Sequence, residues 1–418
     1  MRMISDHGSE DPELTSRRKL LKYLGAVSAG SALGGLAFGA LATEDRVRLP
    51  FENGERRLVA YPQKRPLIVL TSRPPQLETP FAVFNDGLIT PNDAFFVRYH
   101  WSAIPTSIDP ATYRLRVGGK VAAQLELSLD DLKQLSAPVE LIAVNQCSGN
   151  SRGFFTPRAN GGQLGNGAMG NARWTGVPLK AVLEKAGVQP GAVQVSFNGL
   201  DTPPLGDGPD FVKALDIDHA LDGEVLLAWA MNGADLPMLN GYPLRLIVPG
   251  WYGTYWVKHL SDIQVLDAAF DGFWMKTAYR IPDNACACVE PGTAPARTTP
   301  ISRFDVRSFI TSLANGATLP VGRQTVVRGI AFDGGYGISE VALSTDGGRT
   351  WREARLSPSL GRYSFREWTA AFMPPRKGSY ELKVRAVNRI GQSQPAEGLW
   401  NAAGYMRNVV ETTRVTAI

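Results

Sequence analysis

Two short runs could do chemistry together: Phe96-Val97-Arg98-Tyr99-His100, and Asn145-Gln146-Cys147-Ser148-Gly149-Asn150-Ser151-Arg152. The second offers a single thiol on a polar loop. A cationic neighbour favours the thiolate, which is the form that binds metal. Thiolate is soft, so it selects a metal with sulfur preference. The first run offers a guanidinium, whose forked donors match an oxyanion. In an extended segment Arg98 and His100 share a face, and an imidazole there brings a titration near neutrality. Together the runs suggest a metal–thiolate centre that acts on a small oxyanion. On local sequence alone, a role for Cys147 as metal ligand or nucleophile stands about even with a purely structural one. A buried small apolar side chain is the ordinary fate of a free cysteine.

Composition narrows the alternatives. The chain has 418 residues and a net charge of +5, which favours two domains over one. Its charges are dispersed, with no basic stripe interleaved with aromatics, so nucleic-acid binding is not expected. Cys147, Cys286 and Cys288 are the cysteines. An odd, sparse set is not a disulfide framework, and Cys286-Ala287-Cys288 without a second pair is a poor zinc signature. Both read as surface-loop cysteines. No haem-attachment motif occurs. Gly165-Asn166-Gly167-Ala168-Met169-Gly170 has the letters of a dinucleotide fingerprint, but no strand leads into it and no helix starts from it, so it reads as a loop.

The elements that must position these residues follow from pattern. Residues 44–95 are proline-rich and read as irregular. Residues 113–129 read as strands, with a turn at Gly118-Gly119, and Ser128 caps a short helix to Leu135. Residues 139–144 read as a buried strand that delivers the Cys147 loop. Residues 179–186 read as a helix closed by Gly187, and residues 193–197, 225–230 and 244–248 as strands. This first region is α+β. A Pro/Gly/Ala/Thr-rich linker covers residues 290–300. Beyond it, strands at 325–330, 338–344, 351–355, 368–372 and 379–387 indicate a β-sandwich of immunoglobulin type, with turns at Asp333-Gly334-Gly335 and Asp346-Gly347-Gly348.

Ser16-Arg17-Arg18-Lys19 precedes an uncharged, glycine-diluted stretch over residues 23–43. This reads as a removable twin-arginine signal over residues 1–42, cleaved after Ala40-Leu41-Ala42. It implies folded export to the periplasm, with a cofactor inserted beforehand, and membrane contact only during export.

The chain resembles the sulfite oxidase family of molybdenum enzymes, and among them the bacterial periplasmic sulfite dehydrogenases. The resemblance covers nearly the whole mature chain. Besides the two runs above, it rests on Ala172-Arg173-Trp174, Asn198-Gly199-Leu200-Asp201, the run from Val225 to Gly233, Gly241-Tyr242-Pro243-Leu244-Arg245, Val248-Pro249-Gly250 with Val257-Lys258, and the run from Ser344 to Trp351. It implies a molybdopterin-binding domain over residues 43–295 and an immunoglobulin-like, dimerisation-type domain over residues 296–418.

The resemblance also implies roles. Cys147 is the thiolate on molybdenum, beside a pyranopterin dithiolene. Arg98, His100 and Tyr279 line the substrate pocket, with Arg152 near its rim. Arg245 and Lys258 hold the cofactor's phosphate, helped by Arg173, the loop over residues 161–170, and Asn240, which stands where animal members carry histidine. His219 and His259 are left as structural. The implied reaction is oxidation of sulfite to sulfate by oxygen-atom transfer. No haem belongs to this chain, so electrons pass to a c-type cytochrome, as subunit or transient partner. A homodimer is possible. A sulfane dehydrogenase subunit and a molybdenum-dependent sulfoxide reductase are the alternative activities.

Overall fold

The proline-rich stretch before Arg98 is a sheet. In the computed structural model, which describes residues 46–48, 55–206 and 208–418, strands Arg46–Arg48, Glu55–Val59, Leu67–Ser72, Pro75–Glu78 and Val97–Arg98 pair antiparallel in that order. This corrects the irregular reading up to Glu78, while residues 79–95 hold only the short 3-10 helix Phe81–Asn85 and turns, as that reading has it; the reason for the strands is placement. Pro66 precedes a strand, Pro74 lies in a turn and Pro75 opens a strand, positions where a missing N–H breaks no ladder. Leu67, Leu77, Val97 and Tyr99 close a small core beneath it. Arg98, opposite Gln76, is therefore mounted on a strand end.

A second sheet orders Lys213–Asp216, Gln194–Gly199, Leu260–Leu266, Leu115–Gly119 and Leu125–Leu127. A third orders Ala234–Asp235, Leu226–Met231, Met169–Pro178 and Val139–Gln146, with Arg245–Ile247 also paired to Leu226–Met231. Two helices, Leu129–Leu135 and Leu179–Ala186, pack on Met169–Pro178. Ser128 caps the first through a capping box with Asp131. Gly187, at φ +71°, closes the second and donates its N–H to Leu183 O and Glu184 O. Strand Val139–Gln146 is exposed where it starts and buried over its second half, so the buried reading of residues 139–144 holds for the end that meets Cys147. Gly118-Gly119 finishes a strand and is not itself the turn.

The C-terminal region is a pair of sheets. One orders Arg307–Ile310, Thr325–Phe332, Arg366–Phe372 and Arg355–Leu356; the other orders Ala317–Leu319, Thr412–Ala417, Gly378–Asn388, Ile338–Ser344 and Arg352–Glu353. Val327, Val341, Trp368, Leu382 and Val384 fill the space between them. The linker is ordered too, since Thr298–Pro300 pairs with Arg280–Pro282. Phe304, Phe332 and Phe365 belong to the same apolar cluster as Leu226 and Leu246 of the larger region. Strands predominate throughout. The expected signal over residues 1–42 lies outside the described residues, and among those described no helix is long and apolar enough to cross a membrane.

Candidate active site

Cys147 follows directly on strand Val139–Gln146, whose last residue pairs with Met169. Its N–H donates to Ala168 O at 2.9 Å, and its carbonyl accepts from Asn150 N at 3.0 Å. The loop is pinned from the C-terminal region as well. Arg307, fully buried, reaches Gln146 Oε1 at 3.4 Å and Ser151 Oγ at 2.9 Å. Met406 N donates to Ser148 O at 3.2 Å. The half-buried thiol thus stands at the mouth of a rigid turn, where a side chain can be aimed.

Cys147 opens into a cleft that Arg98, His100, Arg245, Lys258 and Tyr279 also line. Among the described residues no carboxylate lines it. Arg245 is buried between Trp174 and Trp256, with its guanidinium carbon 5.0 and 5.8 Å from their ring centres. It donates to Asn240 O at 2.7 Å, and burial lowers it to about 10. Lys258 donates to Arg98 O at 2.8 Å and sits 4.0 Å over the Tyr99 ring. Burial of its ammonium lowers it to about 7. Such cations gain most from an anion placed among them.

His100 Nε2 shares a hydrogen bond with the Tyr279 hydroxyl. Its ring stacks 3.8 Å from Phe211. Burial, then the charges of Arg98, Lys258 and Lys213, hold His100 well below the usual imidazole range. Both causes disfavour the imidazolium at this site. Tyr279 follows the short helix Phe273–Lys276 at φ +56°, an uncommon conformation for a tyrosine. Its ring stacks on Tyr405, 5.4 Å away and 7° from parallel.

Four buried side-chain atoms in this cleft lack any partner: Asn145 Oδ1, Ser148 Oγ, Arg245 Nε and Thr254 Oγ1. Orphaned buried polar atoms are costly, and here they converge on one space. The set offers hydroxyl and guanidinium donors and an amide acceptor, which suits a group bearing both N–H donors and anionic oxygens. Among the described residues no three His, Cys, Asp or Glu side chains gather as a metal site. A metal at Cys147 therefore draws its other ligands from a bound group.

Comparison with known proteins decides what that group is. Residues 101–274 match the oxidoreductase molybdopterin binding domain, and residues 298–417 match the Mo-co oxidoreductase dimerisation domain. Mitochondrial sulfite oxidase of Rattus norvegicus is 32% identical over 398 residues, covering 91% of this chain and 71% of the relative. The Homo sapiens enzyme is 34% identical over 389 residues, covering 88% and 69%. The chain belongs to the sulfite oxidase family of molybdenum enzymes. Its cofactor is molybdenum held by molybdopterin, and the orphaned donors fit such a group. The crystal structure of the sulfane dehydrogenase SoxCD from Paracoccus pantotrophus shares the fold, with a TM-score of 0.70, 24% identity, and coverage of 97% and 96%.

Within this family member the structure gathers Cys147, Arg98, His100, Tyr279, Asn240, Arg245 and Lys258 around one cleft. Arg152 stands one ring behind it. Its guanidinium carbon lies 5.1 Å from the ring centre of Tyr405, and Nε donates to Ala403 O at 2.8 Å. Arg173 is not brought in. Strand alternation turns it to the opposite face, exposed and paired with Glu140. The glycine-rich loop is also diverted. Glu78, fully buried, accepts from Gly165 N at 2.8 Å and Gly167 N at 3.1 Å. A Cβ at Gly167 would lie 2.1 Å from Thr79 O, so that position is limited to glycine. A strand follows the loop, beginning at Met169. His259 is structural: its Nδ1–H donates to Tyr242 O at 2.6 Å, and Nε2 accepts from Tyr99 at 2.7 Å. His219 packs beside Trp251. Cys286 and Cys288 form a disulfide, which corrects their reading as separate loop cysteines.

Several participants escaped sequence reasoning. Lys64, buried, donates to Asn92 O at 2.5 Å, Phe95 O at 3.0 Å and Asn240 Oδ1. It thereby fixes the segment before Arg98 against Asn240. A lone lysine in a proline-rich stretch carries no signal of this. Asn145 and Ser148 stood within the polar loop already singled out; Thr254 had no pattern to mark it.

Glu78 yields a stability prediction. Burial raises its carboxyl from 4.5 to about 7. The folded state therefore binds more protons than the unfolded state between those values, and stability falls as pH rises through that window. A Glu78→Gln variant should gain on the wild type between pH 5 and 7.5, by up to about 3 kcal/mol. Denaturant melts of both proteins across that range measure it. A pH-independent difference would contradict it.

Proposed function

We propose that this protein is a periplasmic sulfite dehydrogenase, which oxidises sulfite to sulfate and passes electrons to a separate c-type cytochrome. The observation that carries the reading is one thiol beside the cations Arg98, Arg245 and Lys258, in a cleft that no carboxylate lines among the described residues. The bound molybdopterin centre supplies oxygen-atom transfer and a two-electron redox couple. Sulfite gains an oxygen that water ultimately provides, and two electrons and two protons leave.

This chain's residues would divide the remaining work. Cys147 would ligate the metal. Arg245 and Lys258, with the orphaned hydroxyls of Ser148 and Thr254, would meet the phosphate and pterin, and Asn240 would orient Arg245 through its carbonyl. Arg98 would grip an oxygen pair of the substrate. Tyr279 would donate to a substrate oxygen, steered by its bond to His100. Phe211 and Trp274, packed around His100, would keep water from that bond and so strengthen it. The domain limits, 43–295 and 296–418, belong to this reading, as do the immunoglobulin type of the sandwich and a homodimer formed through it. So does folded export on a twin-arginine signal over residues 1–42.

The test is metal analysis of native protein joined to sulfite-dependent reduction of cytochrome c. Stoichiometric molybdenum with rapid reduction supports the reading. Absence of molybdenum, or reduction by a carrier-bound persulfide but not by sulfite, overturns it.

A further inference from the structure

Lys213 is a buried charge that the roles above leave unused. It opens strand Lys213–Asp216 and is wholly inaccessible. It donates to Trp274 O at 2.7 Å. Its Nζ lies 4.5 Å from the ring centre of Tyr255 and 5.3 Å from that of Tyr279. Among the described residues no carboxylate forms an ion pair with it, and the charge that acts on it, Arg280, is of like sign. Burial lowers it to about 7. An ammonium so placed is expensive, and a methionine of similar length would satisfy the same aromatic surroundings at less cost. Packing does not account for it.

Its position does. Tyr279 and Phe211 wall the cleft, and Phe211, two residues before Lys213, stacks on His100. The ammonium thus sits one ring behind the Tyr279–His100 pair. A cation against a phenol ring draws electron density from it, which makes the hydroxyl a stronger donor. In a low-dielectric wall its charge also reaches into the cleft.

We propose that Lys213 is a positioning residue for anionic substrate: through the Tyr279 ring it strengthens and aims the phenol, and it adds to the positive field that selects an oxyanion. The proposal rests on the reading that the cleft takes sulfite. Lys213→Met and Lys213→Arg variants of the full, cofactor-loaded protein test it at pH 6, with sulfate as an inert anion probe followed by tryptophan fluorescence. Lys213→Met should melt at or above the wild-type temperature. Its Kd for sulfate and KM for sulfite should rise together by about tenfold, which corresponds to about 1.4 kcal/mol, with kcat changed by less than about twofold. Lys213→Arg should recover most of the affinity. An unchanged sulfate Kd, a lowered melting temperature with a matching loss of kcat, or no sulfate binding by the wild type would overturn the proposal. If the wild type binds sulfate but oxidises no sulfite, the dehydrogenase reading falls, while the sulfate affinities still decide the role of Lys213.

Discussion

Replacing Cys147 with serine is expected to cut sulfite oxidation by at least about a thousandfold, a loss of about 4 kcal/mol in transition-state stabilisation. The swap is nearly isosteric, and the backbone bonds to Ala168 and Asn150 involve no side-chain atom, so the melting temperature should stay close to that of the wild type. A serine hydroxyl stays protonated at neutral pH and is a poor ligand for a soft metal. Molybdopterin content should fall much less than activity, because Arg245 and Lys258 would still hold the phosphate end. Paired assays of cytochrome c reduction and bound molybdenum check this. Activity within tenfold of the wild type would remove Cys147 from the metal.

Arg98→Met should act on binding. The guanidinium lines the cleft, and losing a charge-assisted contact costs about 1.5–3 kcal/mol. That predicts a KM for sulfite raised roughly 10- to 150-fold, with a smaller change in kcat. Methionine keeps the apolar stem, and the neighbouring Val97 and Tyr99 stay buried in their own core, so folding should be spared. Steady-state kinetics over a wide sulfite range decide it; an unchanged KM would place the substrate elsewhere.

Much of this site was legible because its residues sit at the ends of regular elements. The apolar run before Asn145 pointed to a strand that hands over to a polar loop. Ser128 and Gly187 announced their caps through local hydrogen-bonding chemistry. The sandwich strands showed in the period of two, above all Gly378–Asn388. What stayed hidden depends on long-range pairing. The strands before Arg98 were masked by prolines whose tolerance depends on which edge they occupy. Arg173 shared a motif with buried neighbours, yet one step of strand alternation turned it outward. Lys64, Glu78 and Lys213 carry no local pattern at all; each gains meaning only from partners distant in sequence.

The contacts that residues 403–406 and Arg307 make with the Cys147 loop and Tyr279 bear on how such a protein can be taken apart. The sandwich supplies masonry to the reaction chamber, so the two halves are not interchangeable cassettes. A fragment cut at the linker would lose the stack against Tyr279 and the buttress under Gln146 and Ser151 in one stroke. Any lineage that shed the sandwich would first have to rebuild that wall from its own remaining chain.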